Sequence, residues 1–316
     1  MKSISDSAVE RLRVAIDQPV AGERYLVGDL LGRGGMGAVY RAFDKVLERD
    51  VALKALSIEA DADEIASRLT REARVLAHLE HPGIVAVHDA GALDDGRPFY
   101  VMRLVKGKRL DEYAKSAGRG DLLRAFLRIC DAVGYAHARD VIHRDLTPAN
   151  VMVGEFGDVL VLDWGVAKIG REEGAARISQ PRLDDVTTAD GIVVGTPGFM
   201  APEQASGSAA TADSRADIYG LGAILKFLAG SSNEKIPRPL GAIIDRATAI
   251  DPAFRYAAVA DLADDVRHWM DGEPIGAYRE RAFERIGRLY RRNQALVLLL
   301  IAYAVMRIAI LLWRGV

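Results

Sequence analysis

His143-Arg144-Asp145-Leu146-Thr147-Pro148-Ala149-Asn150 sets a carboxylate and an amide five residues apart in a stretch that cannot be regular helix. Pro148 has no backbone N–H to donate and steers Thr147 toward an extended conformation, so the segment is predicted to be a loop. Thirteen residues beyond Asn150, Asp163 closes the apolar run Val159-Leu160-Val161-Leu162 and opens Trp164-Gly165. A strand followed by an acid and a glycine places a second carboxylate on a neighbouring loop. A base, an amide and an acid so delivered can orient a hydroxyl and hold a divalent ion, which transfer of a phosphoryl group to an alcohol requires.

Toward the N-terminus, the chain from Tyr25 reads as a strand, then Gly32-Arg33-Gly34-Gly35-Met36-Gly37, then Ala38-Val39-Tyr40-Arg41-Ala42-Phe43. Glycines in this spacing also occur in dinucleotide-binding domains, where they open a helix. Here alternating β-branched and aromatic residues follow, which predicts a β-hairpin with a flexible backbone able to lie over phosphates. Val51-Ala52-Leu53-Lys54 is a strand carrying one lysine, a residue that on most strands is only a solvated edge. Arg68 to Glu80 reads as a helix with Leu69, Ala73, Leu76 and Leu79 on one face and Glu72 beside it. Ile84 to Val87 and Phe99 to Leu104 read as strands.

Taken in order and spacing, these motifs resemble those of Hanks-type serine/threonine protein kinases, especially bacterial ones, over roughly Tyr25 to Gly272. The resemblance implies an α+β, two-lobed protein kinase fold, with a small β-rich lobe over 25–105 and a larger, mostly helical lobe over 106–272. It implies ATP and Mg²⁺ or Mn²⁺ as cofactors, protein substrates, and transfer of the γ-phosphate to Ser/Thr hydroxyls, including the chain's own. Leu31, Gly32, Arg33, Gly34, Gly35, Met36 and Gly37 would cover the nucleotide. Val39, Ala52 and Met152 would sandwich adenine, with Met102 at the back of the pocket and Leu104 offering backbone hydrogen bonds. Lys54 would contact phosphates, held by Glu72, with Glu64 as the fallback. Asn150 and Asp163 would hold the metal, and Asp145 would accept or orient the substrate hydroxyl.

The same resemblance makes 163–203 an activation segment ending in Gly195-Thr196-Pro197-Gly198-Phe199-Met200-Ala201-Pro202-Glu203. Arg144 would then pair with a phosphorylated Thr187 or Thr188, and Thr196 would line the substrate pocket. Asp217 would brace the catalytic loop and Arg255 would pair with Glu203. Three departures stand out. Thr147 occupies a catalytic-loop position where relatives carry a lysine, Trp164 replaces a phenylalanine, and Gly230 to Pro239 is too short for a further docking helix. They motivate an alternative reading, a nucleotide-binding pseudokinase acting as a membrane-tethered interaction module.

Length and composition set the bounds. At 316 residues and 50% apolar content the chain can build real cores, and a net charge of -2 gives no electrostatic reason to expect nucleic acid. The one cysteine, Cys130, excludes an intramolecular disulfide and sits among Leu122, Phe126, Ile129 and Val133 at helical spacing, so it is read as core packing. Residues 1–24 are expected to form an N-terminal helical extension with Ala8, Leu12, Ala15 and Ile16 on one face, and the residues before Tyr25 contain no apolar run that could serve as a signal peptide. Residues 273–294 are a basic segment with six arginines between Arg279 and Arg292, and 295–313 follows almost without charge. Nineteen helical residues span about 28 Å, close to a hydrocarbon core. The run is therefore expected to be a single transmembrane helix, with the arginine cluster and the kinase region on the cytoplasmic side. The lipid bilayer is then a partner, and dimerisation through this helix stays open.

Overall fold

The computed structural model describes residues 20–34, 37–56, 62–164, 168–169, 198–205, 213–231, 234–279 and 294–314. Its first part is a five-stranded antiparallel sheet of β1 (Tyr25–Gly34), β2 (Gly37–Asp44), β3 (Arg49–Ala55), β4 (Val87–Ala92) and β5 (Pro98–Arg103), in the order β1-β2-β3-β5-β4. Alternation in β2 buries Ala38, Tyr40 and Ala42, and β3, paired on both sides, is buried from Val51 to Ala55. Gly37, at φ 151°, lets the hairpin lie close on β3, since a β-carbon there would stand 2.2 Å from the Ala55 carbonyl oxygen. One helix, α1 (Ala62–His78), packs against β4 and β5 through Leu69, Ala73 and Leu76.

The second part is mostly helical. After β6 (Gly107–Arg109) and the short α2 (Leu110–Tyr113), α3 (Arg119–His137) buries Leu122, Phe126, Ile129, Cys130 and Val133 on the face that the periodicity marked. Cys130 is core packing, and burial pushes its thiol far above the ordinary range. Strands β7 (Val141–Ile142), β8 (Val151–Gly154) and β9 (Val159–Val161) lead to the catalytic loop and away from it, and β10 (Lys168–Ile169) pairs with β7. Beyond α4 (Pro202–Ala205), α5 (Arg215–Ser231) is buried along most of its length, as expected of a central helix apolar on most faces. It packs on α3 and on α6 (Arg238–Ala247), and α7 (Val259–Met270) closes the bundle. A β-carbon on Gly222 would lie 2.6 Å from that of Ala247, so glycine sets the closeness of α5 and α6.

Of three expectations two need adjustment, and one, the short connection between Gly230 and Pro239, holds. Ile84 and Val85 are buried, but Ile84 makes only an isolated bridge to Val161, and the pairing strand starts at Val87. Between α5 and α6 the described residues contain no helix, and Arg119 holds the connection by donating to the carbonyls of Glu234 and Lys235. A concavity of about 670 Å³ has Phe199, Tyr219, Lys226 and Phe227 in its wall. The third concerns the tail. Residues 294–314 do form a helix, α8 (Gln294–Arg314), with exposed Leu299, Val305 and Trp313. Among the described residues, however, no helix is long and apolar enough to cross a membrane, so the expected transmembrane span is not established. Residues 1–19 and the basic segment 280–293 lie outside the described residues.

Candidate active site

The loop after β7 is fixed by a carboxylate from α5. Asp217, 1% exposed, accepts from the backbone N–H groups of His143 (2.8 Å) and Arg144 (2.7 Å) and pairs with His137 Nε2 (2.7 Å). Burial pushes its pKa up, but these donors, led by His137, bring it below the usual carboxylate range. Arg144 itself sits at φ 71°, and Gln204 Nε2 donates to its carbonyl at 2.9 Å, which ties the loop to the segment after Pro202. The predicted break at Pro148 appears as one turn of 3-10 helix, Pro148–Asn150, entered from an extended Thr147 at ψ 159°.

That turn brings Asn150 back onto Asp145. The amide nitrogen of Asn150 donates to the Asp145 carbonyl (2.9 Å) and to its Oδ2 (3.1 Å), which leaves the amide oxygen as the group available to a cation. The Asn150 carbonyl also accepts from Leu162 N at 2.8 Å, so the residue preceding Asp163 is held beside the loop. Asp163 adopts φ 60° and leaves its carboxylate about half exposed. Trp164 is buried, rings with His143 at 4.6 Å and donates to Val161 O at 3.3 Å, so it fills its place in the core as a large apolar residue.

Lys54 joins the two parts. Its ammonium donates to both oxygens of Glu72, at 2.9 and 2.8 Å, and to Asp163 Oδ1 at 3.1 Å. Burial opposes its charge, but the two carboxylates outweigh that and hold the ammonium above its ordinary range. Glu72 is 1% exposed, and burial lifts its pKa even though Lys54 opposes the shift. For Asp163 burial again acts upward, and Lys54 reverses it, so the carboxyl is held below its usual range. Tyr100 donates to Glu72 Oε1 at 2.9 Å. Nothing local in the sequence marks Tyr100, but it lies directly across from Lys54 in the β3–β5 register.

The remaining predicted positions fall as follows. Val39 pairs with Lys54 and Ala52 with Met102, so these residues lie in two adjacent rows across β2, β3 and β5. Met102, Leu104 and Met152 are half-buried, Leu31, Gly32 and Arg33 are exposed, and Gly34 closes β1. Gly35 and Met36 lie outside the described residues, as do Thr187, Thr188 and Thr196. Arg103 bridges to Asp158 at 2.9 Å, joining the end of β5 to the β8–β9 turn. Arg255, with a fully buried side chain, makes a two-pronged pair with Glu203 at 2.7 and 2.8 Å and also donates to the carbonyls of Ala249, Ile250 and Arg215.

The donor set suits a hard divalent cation. An amide oxygen and a carboxylate are oxygen ligands, and Mg²⁺ is ordinarily held by one or two protein groups with substrate phosphates and water completing its shell. Among the described residues there is no group of three or more His, Cys, Asp or Glu that could form an all-protein metal site.

A sheet with one helix over a helical bundle, a lysine paired to a helix glutamate and a braced loop carrying Asp145 and Asn150 define a protein kinase fold. The chain belongs to the protein kinase domain family, which matches residues 25–235. Among its relatives is the serine/threonine-protein kinase PknD of Chlamydia felis, 34% identical over 297 residues that cover 80% of this chain and 32% of that protein. The probable serine/threonine-protein kinase SCO3848 of Streptomyces coelicolor is 34% identical over 290 residues, covering 81% of this chain and 41% of that one. The crystal structure of the Mycobacterium tuberculosis PknI kinase domain superposes with a TM-score of 0.57 at 28% identity, over 79% of this chain and 98% of that domain. The chain thus carries a bacterial-type serine/threonine protein kinase domain, and it spans about a third of the length of the chlamydial relatives, 32% of the first.

Proposed function

We propose that this chain transfers the γ-phosphate of ATP to Ser/Thr hydroxyls of proteins, at the cytoplasmic face of a membrane. The observation that carries the reading is the convergence of Lys54, Glu72 and Asp163 in one ion-paired cluster beside Asp145 and Asn150. Asp145 would receive the hydroxyl proton as that oxygen bonds the γ-phosphorus, the bridging P–O bond breaks and ADP leaves. Lys54 would hold phosphate oxygens and is itself held by Glu72. Asn150 and Asp163 would supply oxygens to Mg²⁺, which when bound offsets the negative charge on the transferring group. Thr147 brings no positive charge to the site, which bears on rate and leaves the class of reaction unchanged. Since Lys54, Asp145, Asn150 and Asp163 are all present and assembled, no observation favours the pseudokinase alternative.

Control by phosphorylation of Thr187 or Thr188 is part of the proposal. It is supported by Arg144, where burial lowers the pKa, the carboxylate of Asp217 opposes that fall, and the nearby charge of Arg71 on α1 adds to it. Two like charges from separate elements are relieved by an anion between them. Membrane attachment through α8 is likewise proposed, supported by the sequence of 295–313, in which Arg307 is the one charge, and by the arginines that precede it. Cytoplasmic placement of the kinase domain follows from the same charge asymmetry.

Two experiments test the reading. Purified protein with radiolabelled ATP should label itself and a generic protein substrate in a metal-dependent manner, and ATP binding without transfer at any metal concentration would reject it. Full-length protein should stay with membranes in high salt and alkaline carbonate, whereas release by salt would mean surface attachment.

A further inference from the structure

Tyr219, Ala223, Lys226, Phe227 and Gly230 recur at helical spacing and so share one face of α5, which together with Phe199 and Thr248 walls the concavity of about 670 Å³. Three aromatic rings stand half-buried in that wall. Phe199 and Phe227 meet edge to face with centroids 6.3 Å apart, and the guanidinium of Arg255 lies 5.0 Å from the centroid of the Tyr219 ring, so the rings are held in place. The polar lining is unequal. Ser231 Oγ donates to the Phe227 carbonyl and Thr248 Oγ1 to that of Ile244, each at 2.8 Å, so both hydroxyl protons are committed to neighbouring helix carbonyls. Lys226 is exposed, is the one charged residue among the described residues of the wall, and takes part in no ion pair among the described residues. Its ammonium is the donor left for a ligand.

The concavity starts beside the catalytic loop. A β-carbon on Gly220, the neighbour of Tyr219, would lie 3.1 Å from that of Leu146 and 3.7 Å from the Phe199 carbonyl oxygen, so α5 meets there both the segment before α4 and the residue after Asp145. From Gly220 to Lys226 the helix rises about 9 Å, and the step from Leu146 to Asp145 adds about 4 Å. An extended peptide covers that distance in about four residues. We propose that the concavity is a docking subsite for the protein substrate, taking an apolar or aromatic side chain among the three rings and an aspartate or glutamate on Lys226, about four residues from the accepting hydroxyl. An acid alone would make only a solvated ion pair of little worth, and a basic residue would meet Lys226 as a like charge. An apolar side chain supplies the burial that the rings offer. The assignment rests on the kinase reading and adds to it a class of substrate.

The test uses full-length protein and neutral threonine peptides that carry Asp-Phe, Lys-Phe or Asp-Gly four residues before the threonine, and a second set with the pair four residues after it. In one of the two sets Asp-Phe should show a KM about tenfold below that of Asp-Gly and about threefold below that of Lys-Phe. Lys226→Glu, a change at an exposed position, should reverse the order of Asp-Phe and Lys-Phe, and the effect should lie in the KM for peptide and not in that for ATP. Equal KM values within both sets overturn the proposal, and so does a preference that Lys226→Glu leaves in place. If Lys226→Glu alters the sedimentation of the protein while the peptide preference stays, the face belongs to a second copy and the proposal is likewise overturned. Fluorescence anisotropy with the same peptides, labelled, separates the subsite from the reaction. A protein that transfers no phosphate yet binds Asp-Phe in preference, with the order reversed by Lys226→Glu, keeps the subsite and rejects the kinase reading, whereas binding without preference rejects the subsite.

Discussion

Glu72→Gln offers a measurement that isolates the ion pair from the chemistry it serves. The ammonium of Lys54 and the carboxylate of Glu72 are 2.8 Å apart, with side chains 11% and 0% exposed. At an effective dielectric of about 20 this attraction amounts to about 6 kcal/mol before the penalty of removing both charges from water. Glutamine keeps an acceptor for Tyr100 and nearly the same volume, but it leaves the ammonium buried with Asp163 as its remaining anion. Breaking such a pair from one side costs about 3–5 kcal/mol, and Lys54→Met should cost a similar amount by stranding the carboxylate. In Lys54→Met/Glu72→Gln neither charge remains, so most of the loss should return, and the double variant should be more stable than either single one. The assay is urea unfolding followed by tryptophan fluorescence, for which the buried Trp164 is a suitable reporter. All three variants should lack transfer, which keeps stability and catalysis apart. If the two single effects simply add in the double variant, within about 0.5 kcal/mol, the pair is not coupled and the reasoning fails.

Asp145→Asn and Asp163→Asn should each reduce phosphate transfer by at least about 10²-fold while the protein stays folded, and wild-type turnover in the former would displace Asp145 as the base. Thr147→Lys should leave the initial rate equal or raise it by restoring a positive charge, and a large fall in a stable protein would mean that the loop has repacked around threonine. Arg255→Ala removes a buried guanidinium that bonds Glu203 and three carbonyls, and calorimetry should show a destabilisation of about 3–5 kcal/mol, with Arg255→Lys recovering little because it cannot form the two-pronged contact. Acid should destabilise the fold: Asp44 is lowered to about 2 chiefly by its bonds to Arg24, and Glu203 and Asp217 are also lowered. Groups with depressed folded-state pKa values contribute fully above their unfolded value of about 4, and the contribution is lost as pH falls through the folded value. Thermal stability should therefore drop between about pH 4 and 2, less steeply in Arg24→Gln.

The catalytic loop was legible because its chemistry is local. Pro148 dictates the break, and the spacing from Asp145 to Asn150 is just what one 3-10 turn closes. Glu72 was legible from helical phase combined with the resemblance. Partners set by remote segments left no local trace. Tyr100 meets Glu72 only through strand register, His137 meets Asp217 across 80 residues, and Gln204 reaches Arg144 across 60. Ile84 and Val85 show the limit of reading short apolar runs, since they are buried by packing with little strand pairing, and burial alone does not distinguish the two. For the tail, the helix could be read from composition, but the medium around it is no property of the chain's own contacts.

The geometry at Arg144 carries an evolutionary consequence. Its backbone sits at φ 71°, where a β-carbon is crowded, and both of its backbone bonds, to Asp217 and to Gln204, would survive with any side chain. Burial also opposes its charge, an effect that the nearby carboxylate of Asp217 offsets in part. Glycine or asparagine would relieve on the order of 1 kcal/mol of conformational cost there. Selection for heat resistance alone would therefore drive this codon away from arginine, and selection for a responsive enzyme would drive it back. If the proposed docking of a phosphorylated Thr187 or Thr188 on Arg144 holds, a library screened only for melting temperature should yield sturdier proteins that no longer respond to phosphate.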